Sequence, residues 1–151
     1  MADLEAAMEA RHPRRLPKHW VMMAASAIIA EDGKLLLVRD PHGFWAGVGG
    51  WVDKGEAPDR AILREVREEL GVTGEVCRVF RPFIAWEVRE QEPPVSFVLF
   101  PFGVRLSSLE FSPDPNEVTG VAWVQPDELE NYEMMPAIRA IYEQRLEEWM
   151  G

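Results

Sequence analysis

The sequence predicts a single α/β domain, and three observations carry that prediction. Two apolar runs flank an Asp-Gly pair early in the chain, an amphipathic helix pattern follows a glycine-rich loop, and a second helix pattern closes the chain after further strand-like runs. No internal repeat, low-complexity tract or linker divides the 151 residues, a length that suits one domain with a real core. Hydrophobic residues at 47% and charged residues at 28% argue against disorder and against a fibrous repeat.

Residues 1–19 carry Pro13 and Pro17 and read as an N-terminal extension, with a short helix around Leu4, Ala7 and Met8, ahead of a domain over 20–151. Trp20 to Ala30 and Leu35 to Val38, joined by Glu31-Asp32-Gly33-Lys34, read as a β-hairpin over about 20–39. The first run follows Arg11-His12-Pro13-Arg14-Arg15 as a signal peptide would. It is shorter than the ~20 residues that span a bilayer, and its partner run makes it a strand. Pro41 to Trp51 is a loop rich in glycine and aromatics. The next helix has Pro58 in its first turn, Asp59 at its positive dipole end and Gly71 just past its last residue. Residues 74–88 and 94–105 read as strands, with Glu92-Pro93-Pro94 as the turn between them. A loop from Ser107 to Asn116, a short strand from Val121 to Val124 and a turn at Pro126 to Leu129 lead to a last helix, Pro136 to Met150.

With 26 acidic against 16 basic side chains and a formal charge of -10, the chain lacks the basic surface that duplex nucleic acid requires. Cys77 is the single cysteine, so neither an intrachain disulfide nor a zinc cluster is available; it reads as a small core or strand residue. These features predict a cytoplasmic protein with no nucleic-acid or membrane partner.

The helix after the loop carries the chemistry. At about 100° per residue, with Glu65 at zero, Glu68 falls near -60° and Glu69 near +40°, while Ile62, Leu63, Val66 and Leu70 form an apolar stripe beside them. Arg60 and Arg67 point the other way. Carboxylates at these spacings lie within about 6 Å of each other, so each pair costs about 3 kcal/mol at an effective dielectric near 20. Protonation relieves that cost, and so does a divalent cation, which takes carboxylate oxygens and bridges to phosphates. A solvated acidic helix is the plainer reading of the hexapeptide alone.

The surroundings favour the cation. Gly50, Glu56, Arg64-Glu65, Val66, Glu68-Glu69, Gly71 and Val72 stand at spacings that resemble a complete Nudix box, 23 residues long with nine constrained positions. Trp123-Val124-Gln125-Pro126-Asp127-Glu128-Leu129 also resembles a segment common in that family, and the likeness covers about residues 20–148. Val48 departs from the pattern, since many members place Pro before the two glycines.

The resemblance implies an α/β/α sandwich with a mixed sheet, a catalytic loop–helix–loop and a C-terminal helix. It implies hydrolysis of a pyrophosphate bond in a small nucleotide derivative, dependent on Mg²⁺ or Mn²⁺. Carried over, Glu65, Glu68 and Glu69 are metal ligands with the Gly49 carbonyl, Glu117 reaches the metal centre from a later loop, and Glu56, Arg64, Gly50 and Gly71 support the site. The general base is a box glutamate, Glu65 or Glu68, or Glu117 from a later loop, with Glu110 as its competitor. Arg39, Phe44, Trp45, Arg81 and Trp86 are candidates for binding substrate. Marker residues for ADP-ribose or dinucleotide substrates are absent at their usual offsets. The alternatives are a Nudix domain used only as a ligand sensor, disfavoured because every box glutamate is present, and isopentenyl diphosphate isomerase, disfavoured by the position of Cys77. Relatives occur as monomers and homodimers.

Overall fold

The computed structural model describes residues 21–89 and 92–151, without the side chains of 85–95. The helix expected within 1–19 lies outside the described residues. In chain order the elements are β1 (Met22–Ile28), β2 (Ala30–Glu31), β3 (Lys34–Arg39), β4 (Trp45–Ala46), β5 (Gly49–Trp51), α1 (Pro58–Leu70), β6 (Gly74–Val79), β7 (Phe83–Arg89), β8 (Glu92–Leu106), β9 (Gly120–Val124), a 3₁₀ turn at Pro126–Asn131, and α2 (Pro136–Met150).

Alternation along β1 and β3 sets the architecture. Ala25, Ala27, Leu36 and Val38 enter one buried cluster, and Ala24, Ile28, Leu35 and Leu37 enter the other. Strands buried on both faces need a covering layer on each. Ala61, Ile62, Val66 and Leu70 of α1 cover the first face, and Ile141, Tyr142 and Trp149 of α2 cover the second. The chain is therefore an α/β/α sandwich, as the family resemblance implies.

In the larger sheet β5 pairs antiparallel with β1, β1 pairs parallel with β8, and β8 pairs antiparallel with both β6 and β7. In the smaller sheet β3 pairs antiparallel with β2, β4 and β9. The expected hairpin turn is present: Asp32 (φ 51°) and Gly33 (φ 75°) both take the left-handed conformation that a two-residue Asp-Gly turn requires. Its first arm, however, breaks at Ile29, so that β1 belongs to one sheet and β2 to the other.

Three expectations need correction. The strand expected over 74–88 is two strands, β6 and β7, both served by the single long β8. Pro101 lies in β8 between the stretch paired with β7, which ends at Leu99, and the stretch paired with β6, which begins at Phe102. Its missing N–H therefore removes no ladder bond to either strand. The second correction is the turn at Glu92-Pro93-Pro94: Arg89 already stands opposite Glu92, so the chain reverses between these two, and the prolines lie in β8. Third, Cys77 is a strand residue but not a core one. It sits where the β6–β8 register shifts, is exposed, and donates from Sγ to the Gly103 carbonyl at 3.3 Å.

Among the described residues no helix is long and apolar enough to cross a membrane. Helix α1, which positions the candidate site, begins with Pro58 and ends where Gly71 (φ 71°) donates its N–H to the Arg67 carbonyl.

Candidate active site

Ile62, Val66 and Leu70 of the α1 stripe are fully buried and Leu63 partly so, which brings the neighbouring Glu65 and Glu69 to the edge of the packed seam. Arg60 and Arg67 face solvent, as the helical angles require. Arg64 ties the preceding loop to the helix. Its Nε donates to Glu56 Oε2 at 2.9 Å and its Nη2 to Glu56 Oε1 at 3.0 Å, a two-pronged contact that holds the Glu56 carboxyl below its usual range. Nη2 also reaches the Trp51 carbonyl at 3.3 Å, and Nη1 reaches Glu65 Oε1 at 3.0 Å and Glu68 Oε2 at 3.2 Å. Glu56 accepts the Asp53 N–H at 3.1 Å and so closes the loop on itself.

Glu69 is the most perturbed carboxylate. Burial first, and then the charge of Glu65, pushes its carboxyl up to about 8, against the pull of the Gly49 N–H, which donates to Glu69 Oε2 at 2.9 Å. Burial also raises Glu65, with the Arg64 guanidinium opposing it. The charge of Glu117 acts on both Glu65 and Glu69, so a loop 48 residues further along the chain than Glu69 brings its carboxylate to the same place. Glu69 and Glu117 line one cleft of about 190 Å³ together with Asp40, Phe44, Trp45 and Gly49. Glu110 is exposed and lines neither this cleft nor its neighbour.

The paired glycines serve close approach. A Cβ on Gly49 would collide with the Ala25 carbonyl oxygen, and one on Gly50 would lie 2.6 Å from Glu65 Oε1. Gly50 does not have a positive φ, so its lack of a side chain serves clearance for Glu65 and not a turn. Gly71 does have one, and a Cβ there would lie 2.5 Å from the Ser112 carbonyl oxygen. Val48, at the position where relatives carry Pro, is fully buried, and its carbonyl accepts the Ala27 N–H at 2.8 Å.

The remaining candidates divide. Phe44 and Trp45 line the acidic cleft, and Trp45 packs edge-on against Tyr132 at 5.2 Å. Asp40 Oδ1 shapes that loop by accepting the N–H groups of His42 at 2.8 Å and Phe44 at 3.0 Å. Arg39 is exposed at the end of β3, with its guanidinium beside Gly43. Arg81 is engaged elsewhere, in a two-pronged ion pair with Glu148 of α2 at 3.1 and 3.0 Å. Trp86 lies on β7 opposite Ser96, and its side chain falls outside the described part.

Sequence reasoning missed a second cavity, of about 230 Å³ and mostly apolar, whose walls include Trp51, Phe97, Leu99, Ile138, Ile141 and Tyr142. Trp51 and Phe97 meet edge to face in it at 5.5 Å. It shares Ala46, Gly47, Gly49, Met135 and Ile138 with the acidic cleft, so the two are continuous. The available signal was the run of small residues at Ala24-Ala25-Ser26 and Ala46-Gly47, which leave space where strand residues usually fill it.

The carboxylates of Glu69 and Glu117 in one cleft are hard oxygen donors of the kind a divalent cation takes, and burial and like charge suppress the ionisation of Glu69 without one. Among the described residues no three acidic, histidine or cysteine side chains already surround one point. Arg64 Nη1, bonded to both Glu65 and Glu68, competes with a cation for those two groups.

Comparison with known proteins agrees with this geometry. A family model described as the NUDIX domain matches residues 10–145. A CTP pyrophosphohydrolase from Escherichia coli is 29% identical over 117 residues, covering 74% of this chain and 82% of the relative. An isopentenyl-diphosphate Delta-isomerase from Streptomyces coelicolor is 35% identical over 112 residues, covering 66% of this chain and 54% of the relative. Among solved structures, that of a UDP-X diphosphatase superposes with a TM-score of 0.71 at 28% identity, covering 98% of this chain and 69% of that one.

Proposed function

The chain belongs to the Nudix hydrolase family, and from that premise we propose that it hydrolyses a pyrophosphate bond in a small nucleotide derivative, with a divalent cation held in its acidic cleft. The observation that carries this reading is that Glu69 of α1 and Glu117 of a distant loop line one cleft; burial first, and then the charges of Glu65 and Glu117, raise the Glu69 carboxyl to about 8. An acid in that state at neutral pH is a poor structural element and a strong cation ligand once ionised.

When bound, Mg²⁺ or Mn²⁺ neutralises charge on the phosphoryl oxygens. Glu65, Glu68, Glu69 and Glu117 would hold the cation, together with the Gly49 carbonyl. Glu56 and Arg64 keep the loop and helix in register, and Gly50 leaves room for Glu65. Water attacks one phosphorus of the pyrophosphate, its proton passes to the carboxylate of Glu65, Glu68 or Glu117, and the bridging P–O bond breaks to release the other phosphoryl fragment. Phe44 and Trp45, which line the acidic cleft, take the organic moiety with the adjoining apolar cavity, and Arg39, exposed at the end of the strand that leads into their loop, pairs with phosphate. Arg81 leaves this set, because Glu148 already satisfies it. The similarity to a CTP pyrophosphohydrolase and a UDP-X diphosphatase supports a nucleoside di- or triphosphate derivative as the substrate class. Isomerase chemistry at Cys77 is disfavoured, since Cys77 lines neither cavity.

The test is to incubate the protein and Mg²⁺ with nucleoside triphosphates, nucleotide sugars and dinucleotides, and to measure released phosphate, pyrophosphate and monophosphate. Glu68→Gln is run beside it. Hydrolysis that needs Mg²⁺ and collapses in the variant is expected; silence across the panel, or an unimpaired variant, overturns the proposal.

A further inference from the structure

Tyr142 of α2 is 3% exposed, and burial pushes its phenol up to about 12. Its hydroxyl is not idle: it accepts the Gly47 N–H at 2.8 Å, across 95 residues of sequence, and the Ser26 hydroxyl bonds to it as well. Gly47 has no positive φ, so its turn geometry does not demand glycine. A Cβ at Gly47 would collide with the Tyr142 hydroxyl, which is a reason for glycine at that position.

Gly47 opens the segment that leads to Gly49. That segment is held at three successive residues by three different elements. Tyr142 of α2 takes the Gly47 N–H, Ala27 of β1 donates to the Val48 carbonyl at 2.8 Å, and Glu69 of α1 takes the Gly49 N–H at 2.9 Å. Gly47 and Gly49 line both cavities. The bond to Gly49 also fixes the orientation of the Glu69 carboxylate. From this geometry we infer that Tyr142 is a positioning residue: its hydroxyl fixes the Gly47–Gly49 segment and, through the Gly49 N–H, the Glu69 carboxylate. The inference rests on the hydrolase reading only where it concerns turnover. The Tyr142 hydroxyl already serves the Gly47 N–H and the Ser26 hydroxyl, so its removal is expected to act on rate more than on substrate affinity.

Tyr142→Phe tests this, with Trp149→Phe as the matched core variant; Trp149 packs edge-on against Tyr142 at 5.2 Å and lines neither cavity. Amide exchange of Gly47 is followed by NMR, the dissociation constant of Mn²⁺ alone by electron paramagnetic resonance, and kcat and KM on whichever nucleotide the panel identifies. In the native protein the Gly47 amide is expected to be protected. In Tyr142→Phe it loses protection, Mn²⁺ binding weakens about tenfold, and kcat falls about tenfold with KM within about twofold, the scale seen for residues that orient metal ligands. Trp149→Phe lowers the Tm yet leaves Mn²⁺ affinity and kcat unchanged. An unprotected Gly47 amide in the native protein overturns the inference, whether or not Tyr142→Phe folds. So does a folded Tyr142→Phe that keeps native Mn²⁺ affinity and kcat, or a Trp149→Phe that loses both equally. A native protein inactive on the whole panel refutes the hydrolase reading instead, and the amide and Mn²⁺ measurements still decide the role of Tyr142.

Discussion

Replacing Glu69 by Gln should make the metal-free protein more stable at alkaline pH. The Glu69 carboxyl is raised from an ordinary 4.5 to about 8 in the fold. Between those values the folded state binds a proton that the unfolded state has released, so stability falls as pH rises through the window and levels off above it. At 1.36 kcal/mol per unit, the full span amounts to about 5 kcal/mol, which is a ceiling because Glu65, also raised, shares the same mutual repulsion. A loss of even half that is large beside the roughly 5–15 kcal/mol that holds a domain folded. Gln keeps an oxygen for the Gly49 N–H and removes the charge, so the variant escapes the loss. Urea unfolding in EDTA at pH 5 and pH 8.5 measures it. The two proteins should be within about 1 kcal/mol of each other at pH 5, with the variant ahead by at least about 2 kcal/mol at pH 8.5. Added Mg²⁺ should then stabilise the native protein and not the variant. A gap independent of pH, or a variant that is weaker at pH 8.5, refutes the assignment of Glu69 as a buried carboxylate crowded by like charge.

Other substitutions separate the parts of the site. Glu117→Gln should lower Mg²⁺-dependent turnover by about tenfold or more, while Glu110→Gln, placed outside both cavities, leaves kcat/KM unchanged. Gly50→Ala places its methyl against Glu65 Oε1 and should cost activity with little change in Tm, because a side-chain tip can move aside. Gly49→Ala places its methyl against the Ala25 carbonyl of β1 and should cost the Tm as well, which thermal unfolding of the pair resolves. Arg64→Lys keeps the charge but not the fork that grips both Glu56 oxygens, and should reduce kcat about tenfold, with no rescue by salt.

The parts of the fold that were legible in the sequence are those governed by local chemistry. Asp32-Gly33 predicted its turn because only a few residues accept positive φ in succession, and Pro58 and Gly71 bounded α1 for equally local reasons. The break at Ile29 and the division of 74–88 into β6 and β7 depend on which strand lies alongside, and nothing within either run announces the change of neighbour. Pro93 and Pro94 misled in the same way. Proline marks a turn by default, but a strand that begins at Glu92 accommodates both. Cys77 read as a small core or strand residue; it is a strand residue, and the register shift between Val76 and Arg78 accounts for its exposure.

The site was legible where it is helical and hidden where it is assembled. Spacing alone set Glu65, Glu68 and Glu69 on one arc, and the structure shows the same three acids acting on one another. Spacing alone gave no account of why Arg64 does not neutralise them. Arg64 holds both oxygens of Glu56 and reaches each of Glu65 and Glu68 through a single nitrogen, so Glu69 is left to Gly49 and to its acidic neighbours. The acidity of the chain as a whole, a formal charge of -10, disfavours bulk attraction of a polyanion. It says nothing against a phosphorylated small molecule. In the cleft that Glu69 and Glu117 line, the proposed divalent cation would reverse the sign that a phosphorylated ligand meets.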